Sequence, residues 1–205
     1  MWVKICGMTT PEAVTAAVEA GVDAIGFVFA ESSRRLTPQR AARLAQAARG
    51  RVRCVAVTRH PAQAAVDEIL KVFSPDLLQT DLSDLARLQL PAGLGLLPVV
   101  READNVPASL PRRILFEGPV SGTGVAGDWI AAHRLARCTQ LVLAGGLNTG
   151  NVAAAIAAVQ PFGVDVSSGV ELRPGVKSPA EIVSFASAAR AGSQAPAALD
   201  TEDRA

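Results

Sequence analysis

Eight short apolar runs divide this chain, at residues 2–6, 24–29, 53–58, 77–80, 95–100, 113–117, 140–144 and 163–167. They lack the strict apolar–polar alternation of a strand with one wet face. They therefore predict strands covered on both sides, as in a parallel sheet with helical crossovers. Between them lie Ala-rich helical stretches at 11–20, 38–49, 61–72, 82–88, 127–136 and 148–159, with another at 178–190 after the last run. Segment 103–110 predicts only a short, degenerate helix, because Pro107 and Pro111 interrupt it. Thr10-Pro11, Thr37-Pro38 and Ser178-Pro179 each place a capping residue before a proline at the first helical position, and Glu181 adds a capping-box acid.

Eight strand–helix units match a single α/β domain, a (β/α)8 TIM barrel over residues 1–190 with its degenerate helix after strand five. A doubly wound open sheet uses the same alternation, and the count of eight favours the barrel. Residues 191–205 carry Gly, Ser, Gln and Pro without periodicity and read as a flexible tail.

Composition narrows the function classes. The 205 residues suit one domain that buries roughly 70% of its unfolded surface. With 20 basic and 19 acidic side chains the net charge is +1, which points to no nucleic-acid or membrane partner. Cys6, Cys54 and Cys138 are odd in number and widely spaced, so neither a disulfide framework nor a zinc motif is expected, and a reducing cytoplasm is. No apolar run nears the length of a membrane span, and no signal segment opens the chain.

In a barrel of this kind the chemistry sits at the carboxyl ends of the strands. That selects Cys6, Arg34, Arg35, Thr80, Glu117 and Asp165. Cys6 precedes Gly7 at a strand end, where it is either a working thiol or barrel filling. Gly145-Gly146 follow strand seven and Ser168-Gly169 follow strand eight, the two places where these barrels bind phosphate. Glu117 closes an apolar run, where a carboxylate is costly unless solvated or used. Asp128 reads as a helix-start acid, and His60 and His133 as surface residues.

These pieces together resemble the phosphoribosylanthranilate isomerase family of tryptophan biosynthesis. The matching segments are Lys4-Ile5-Cys6-Gly7-Met8-Thr9, Gly26-Phe27-Val28-Phe29 with Ser33-Arg34-Arg35, and Gly122-Thr123-Gly124 with Asp128-Trp129. Ala144-Gly145-Gly146-Leu147-Asn148, Val164-Asp165-Val166-Ser167-Ser168-Gly169-Val170-Glu171 and Pro174-Gly175-Val176-Lys177 complete the set, in family order along nearly the whole chain. The resemblance implies an Amadori rearrangement of an aminoaldose phosphate to an aminoketose, without metal or organic cofactor, on a small phosphosugar substrate, in a cytoplasmic monomer or homodimer. It makes Cys6 the general base and, counting from Phe29, makes Arg35 the ligand of the substrate's benzoate carboxylate. The Gly145-Gly146 and Ser168-Gly169 loops hold its phosphate, and Asp165 joins the substrate-binding set.

Two segments depart from the family pattern. The general acid, an aspartate in the family, is met here by Glu117, one methylene longer, with Asp128 as its rival. At the end of strand four, where the family carries Gln-Leu-His-Gly, this chain reads Leu78-Gln79-Thr80-Asp81, which sets Thr80 in the histidine's place. A different phosphosugar isomerisation or a non-catalytic sugar-phosphate binder would keep the same loops. A thiol and a carboxyl together favour catalysis.

Overall fold

A computed structural model describes residues 1–101, 109–118 and 128–194. Eight strands appear where the apolar runs predict them: β1 Trp2–Cys6, β2 Ala24–Val28, β3 Arg53–Val57, β4 Leu77–Asp81, β5 Gly95–Arg101, β6 Arg113–Glu117, β7 Gln140–Leu143 and β8 Gly163–Val166. They pair in parallel in chain order and close into a barrel where β8 meets β1. The open-sheet alternative is thereby excluded. Among the described residues no helix is long and apolar enough to cross a membrane.

Six helices follow: α1 Pro11–Glu19, α2 Pro38–Ala45, α3 Gln63–Val72, α4 Trp129–Ala136, α5 Val152–Val159 and α6 Pro179–Gln194. The predicted caps form. Thr10 and Thr37 hydroxyls accept from the Ala13 and Arg40 amides, both at 3.3 Å, and Ser178 accepts from Glu181 at 3.2 Å. Three expectations need adjusting. The stretch after β4 is a 3-10 turn, Leu82–Ala86, because the Asp84 carboxylate is drawn back to Thr80 and His60, and Pro91 follows. α6 continues four residues into the expected tail, to Gln194. A two-stranded hairpin, β9 Glu171–Arg173 and β10 Val176–Lys177, lies beyond β8 and was not foreseen. The expected degenerate helix after β5, apart from Ser109 and Leu110, and the Gly122-Thr123-Gly124 segment lie outside the described residues.

Strand alternation sorts the side chains into two layers. Val3, Ile5, Ile25, Phe27, Ile114, Phe116, Leu141 and Val164 face the helices. Their opposite neighbours fill the barrel: Leu97, Val99, Leu115 and Val142 on one side, and Ala24, Val55 and Leu77 on the other. The amino end is sealed by Arg113, whose guanidinium lies 4.2 Å from the Phe162 ring and 5.6 Å from Trp2, and which also bonds Gln140. With that end plugged by Arg113, Gln140 and the two aromatic rings, the inward residues left to line an open space lie at the carboxyl end.

Candidate active site

Lys4 and Cys6 lie two apart on β1 and face the same way, over Gly26, where an added Cβ would come within 3.0 Å of the Cys6 sulfur and 3.3 Å of Lys4 Cε. Asp165 stands opposite Lys4 in register on β8 and accepts a hydrogen bond from its ammonium at 2.9 Å. Both side chains are buried. Burial disfavours the lysine's charge, but Asp165 and Cys6 outweigh it and hold Lys4 above the ordinary lysine value. Burial likewise pushes the Cys6 thiol up, with Lys4 and Lys177 pulling the other way and Asp165 adding to the rise.

Cys6 and Asp165 line a cavity of about 190 Å³ at the carboxyl ends of the strands, together with Arg34, Gln79, Arg101 and Glu117. Glu117 closes β6 and accepts a hydrogen bond from Arg101 at 2.8 Å; Arg101 also donates to Asp81 at 2.6 Å. A smaller hollow adjoins it, bordered by Gly145, Gly146, Ser167 and Ser168, and Glu117 and Asp165 belong to both spaces. Its shape depends on the glycines. Gly145 and Gly146 have φ of +91° and +65°, which side chains rarely adopt. A Cβ at Gly169 would sit 2.0 Å from the Leu147 carbonyl. Asn148 and Asn151 brace the loop: Asn148 Oδ1 accepts from the Gly150 amide at 2.9 Å, and Asn151 Nδ2 donates to the Gly146 carbonyl at 2.9 Å. A wider depression at the amino end, lined by Arg112, Gln140 and Phe162 among others, has no carboxylate among the described residues that line it.

The β9–β10 hairpin closes one side of the mouth. Arg34 donates to Glu171 from Nε at 2.7 Å and from Nη2 at 2.9 Å, a two-pronged pair. Lys177, fully buried, donates to Glu171 at 2.7 Å and to the Ser167 carbonyl at 2.9 Å. Burial would raise the Glu171 carboxyl, yet Arg34 and Lys177 bring it below its usual value.

Six of the expected residues thus converge: Cys6, Glu117, Asp165, Gly145, Gly146 and Ser168 line the two adjoining spaces. Gly169 supports the hollow through its contact with Leu147. Two expectations are corrected. Arg35 is exposed, pairs with Glu31 at 2.7 Å, and borders an outer groove with Leu36 and Pro38; Arg34 is the arginine that faces the thiol's cavity. The chain pairs Val28 with Arg35 and buries Leu36, which turns Arg35 away from the mouth. Thr80 does not face the cavity either. It is the even-numbered residue between inward Gln79 and Asp81, and its hydroxyl donates to Asp84 at 2.5 Å behind the strand. Asp81 occupies the inward place. Asp128 caps α4, accepting from the Ile130 and Ala131 amides at 2.8 and 3.1 Å, as a helix-start acid should.

Sequence reasoning missed Lys4, Arg101, Glu171 and Lys177. Lys4 was legible in principle, since a lysine within an apolar run is as costly as the glutamate that drew notice in β6. The Pro174-Gly175 turn could have signalled the hairpin that delivers Glu171 and Lys177.

The family model described as N-(5'phosphoribosyl)anthranilate (PRA) isomerase matches residues 3–188. The N-(5'-phosphoribosyl)anthranilate isomerase of Rhizobium johnstonii is 38% identical, over 89% of this chain and 91% of that protein. Among solved structures, TrpF from Jonesia denitrificans superposes with a TM-score of 0.78 at 35% identity, covering 95% of this chain and 98% of the other. A phosphoribosyl anthranilate isomerase in complex with reduced 1-(o-carboxyphenylamino)-1-deoxyribulose 5-phosphate superposes with a TM-score of 0.73 at 27% identity, covering 93% and 99%.

Proposed function

We propose, for a chain that belongs to the phosphoribosylanthranilate isomerase family, that Cys6 and Glu117 divide the proton transfers of its reaction between them. That reaction is the Amadori rearrangement of N-(5'-phosphoribosyl)anthranilate in tryptophan biosynthesis. The observation that carries the assignment is that the thiol and the carboxyl border one cavity, with the glycine hollow beside them.

The substrate phosphate sits in the hollow of Gly145, Gly146 and Ser168, where glycines let the backbone approach an anion. The anthranilate ring extends toward the β2 side of the cavity, and Arg34 meets its carboxylate. Glu117 donates a proton to the ribose ring oxygen as the C1'–O bond breaks, leaving a Schiff base between C1' and the anthranilate nitrogen. The Cys6 thiolate then removes the proton from C2', giving an enolamine that tautomerises to the aminoketose. Lys4 and Lys177 supply the positive charge beside the developing thiolate. General acid and base each contribute about 10²–10⁴-fold to such a reaction.

The test is the loss of anthranilate-adduct fluorescence in wild type, Glu117→Gln and Asp128→Asn. Glu117→Gln should lose about 10²–10⁴ in kcat with KM little changed, and Asp128→Asn should keep most of its turnover. A fully active Glu117→Gln together with an inactive Asp128→Asn reverses the assignment of the acid.

A further inference from the structure

The two departures from the family pattern, at the ends of strands four and six, meet on one guanidinium. Arg101 ends β5 and stands in register with Glu117 on β6. One arm, Nη1, donates to Glu117 Oε2 at 2.8 Å; the other, Nη2, donates to Asp81 Oδ1 at 2.6 Å. All three side chains are mostly buried, with exposures of 13% for Arg101, 10% for Asp81 and 15% for Glu117. Asp81, Arg101 and Glu117 thus form a chain across three consecutive strand ends.

We infer that Arg101, anchored by Asp81, is a positioning residue for Glu117 that fixes where its carboxyl stands as it presents the proton to the substrate. This rests on the reading of Glu117 as the general acid. A glutamate has one more rotatable bond than an aspartate, so its carboxyl needs an outside restraint to reach one place reproducibly. A bond to Oε2 supplies that restraint. A protonated carboxyl still accepts through its other oxygen, so the contact survives in the acid form. Asp81 matters for charge. It keeps Arg101 paired with a carboxylate while Glu117 gains or loses its proton, so no buried guanidinium is left without a counter-ion. Lysine could not do this, because its single ammonium lacks the planar fork that reaches both partners.

The experiment is a kinetic cycle on kcat and KM with Arg101→Met, Glu117→Gln and the double variant, alongside Arg101→Lys and thermal melts. Arg101→Met should lower kcat by about 10²-fold with KM nearly unchanged, the cost of a misplaced catalytic group. In the Glu117→Gln background the same change should alter kcat by no more than about twofold, because the two residues act as a unit. Arg101→Lys should recover only part of the loss. If Arg101→Met does not fold, Arg101→Met/Asp81→Asn removes the surplus charge and the cycle is read on that pair. Losses that multiply in the double variant, or a melting shift without a kcat change, would overturn the positioning role and leave the acid assignment standing. Full activity in Glu117→Gln would instead remove the acid assignment and this inference with it.

Discussion

Arg34 grips Glu171 through two hydrogen bonds, at 2.7 and 2.9 Å, across 137 positions of the chain. That pair ties the loop after β2 to the hairpin after β8 and aims one arginine of two adjacent ones into the cavity. Arg34→Ala should therefore weaken substrate binding by about 1.5–3 kcal/mol, the worth of a hydrogen bond to a charged group. Arg35→Ala, which loses only an exposed pair with Glu31, should change KM less than about twofold. Steady-state kinetics on both variants decides the matter, and the reverse ranking would return the role to Arg35.

The environment of Cys6 sets a pH dependence. Burial raises its thiol value, and a base works only when deprotonated. Activity limited by Cys6 should thus climb with pH through the alkaline range instead of levelling near neutrality. Cys6→Ser should lose about 10²–10⁴ in kcat. Iodoacetamide alkylation of Cys6 in a Cys54→Ala/Cys138→Ser background reads the same ionisation without substrate. A reaction rate flat across neutral to alkaline pH would contradict it.

Lys4 is buried with Asp165 as its hydrogen-bonded counter-ion. Lys4→Met leaves that carboxylate buried alone and should cost about 3–5 kcal/mol in denaturant unfolding. Lys4→Met/Asp165→Leu removes both charges and should regain most of that stability without regaining activity. Lys4→Met alone should also shift the alkylation profile of Cys6 to higher pH relative to wild type, since a cation beside the thiolate is gone.

Behind β4, Asp84 is held down to about 2: burial would raise it, but bonds from Thr80, Arg87 and His60 more than offset that. Its folded value lies below the usual 3.8. The stabilisation is therefore present in full above about pH 4, and is lost as the pH falls from there toward 2. The total is about 2 kcal/mol. Urea denaturation between pH 2 and 6 should show this loss in wild type and a flatter curve in Asp84→Asn. Thr80→Val should remove part of it while sparing kcat, because Thr80 faces away from the cavity.

The eight barrel strands and the three proline-capped helix starts could be read in the chain because both are local. Apolar runs, prolines and caps act over a few residues, and the strands at 2–6 and 113–117 have the bounds their apolar patterns imply. The thiol, the Glu117 carboxyl and the glycine loops were legible for the same reason, since strand ends in a barrel all face one mouth. Pocket membership was not legible. A step of one residue along a strand turns a side chain from the barrel to the helices, so Thr80 and Asp81 exchange roles without any change in composition. Arg34 and Arg35 are sorted by the same rule, through the pairing of Val28 with Arg35. The partners of these groups were further out of reach. Lys4 meets Asp165 across 161 positions only because closure of the barrel pairs β8 with β1, and Arg101 joins Asp81 to Glu117 because β4, β5 and β6 pair side by side. Local sequence determined which segments end at the mouth; the closed sheet, by setting strand register and bringing distant chain together, decided which of their side chains face the cavity and which of them touch.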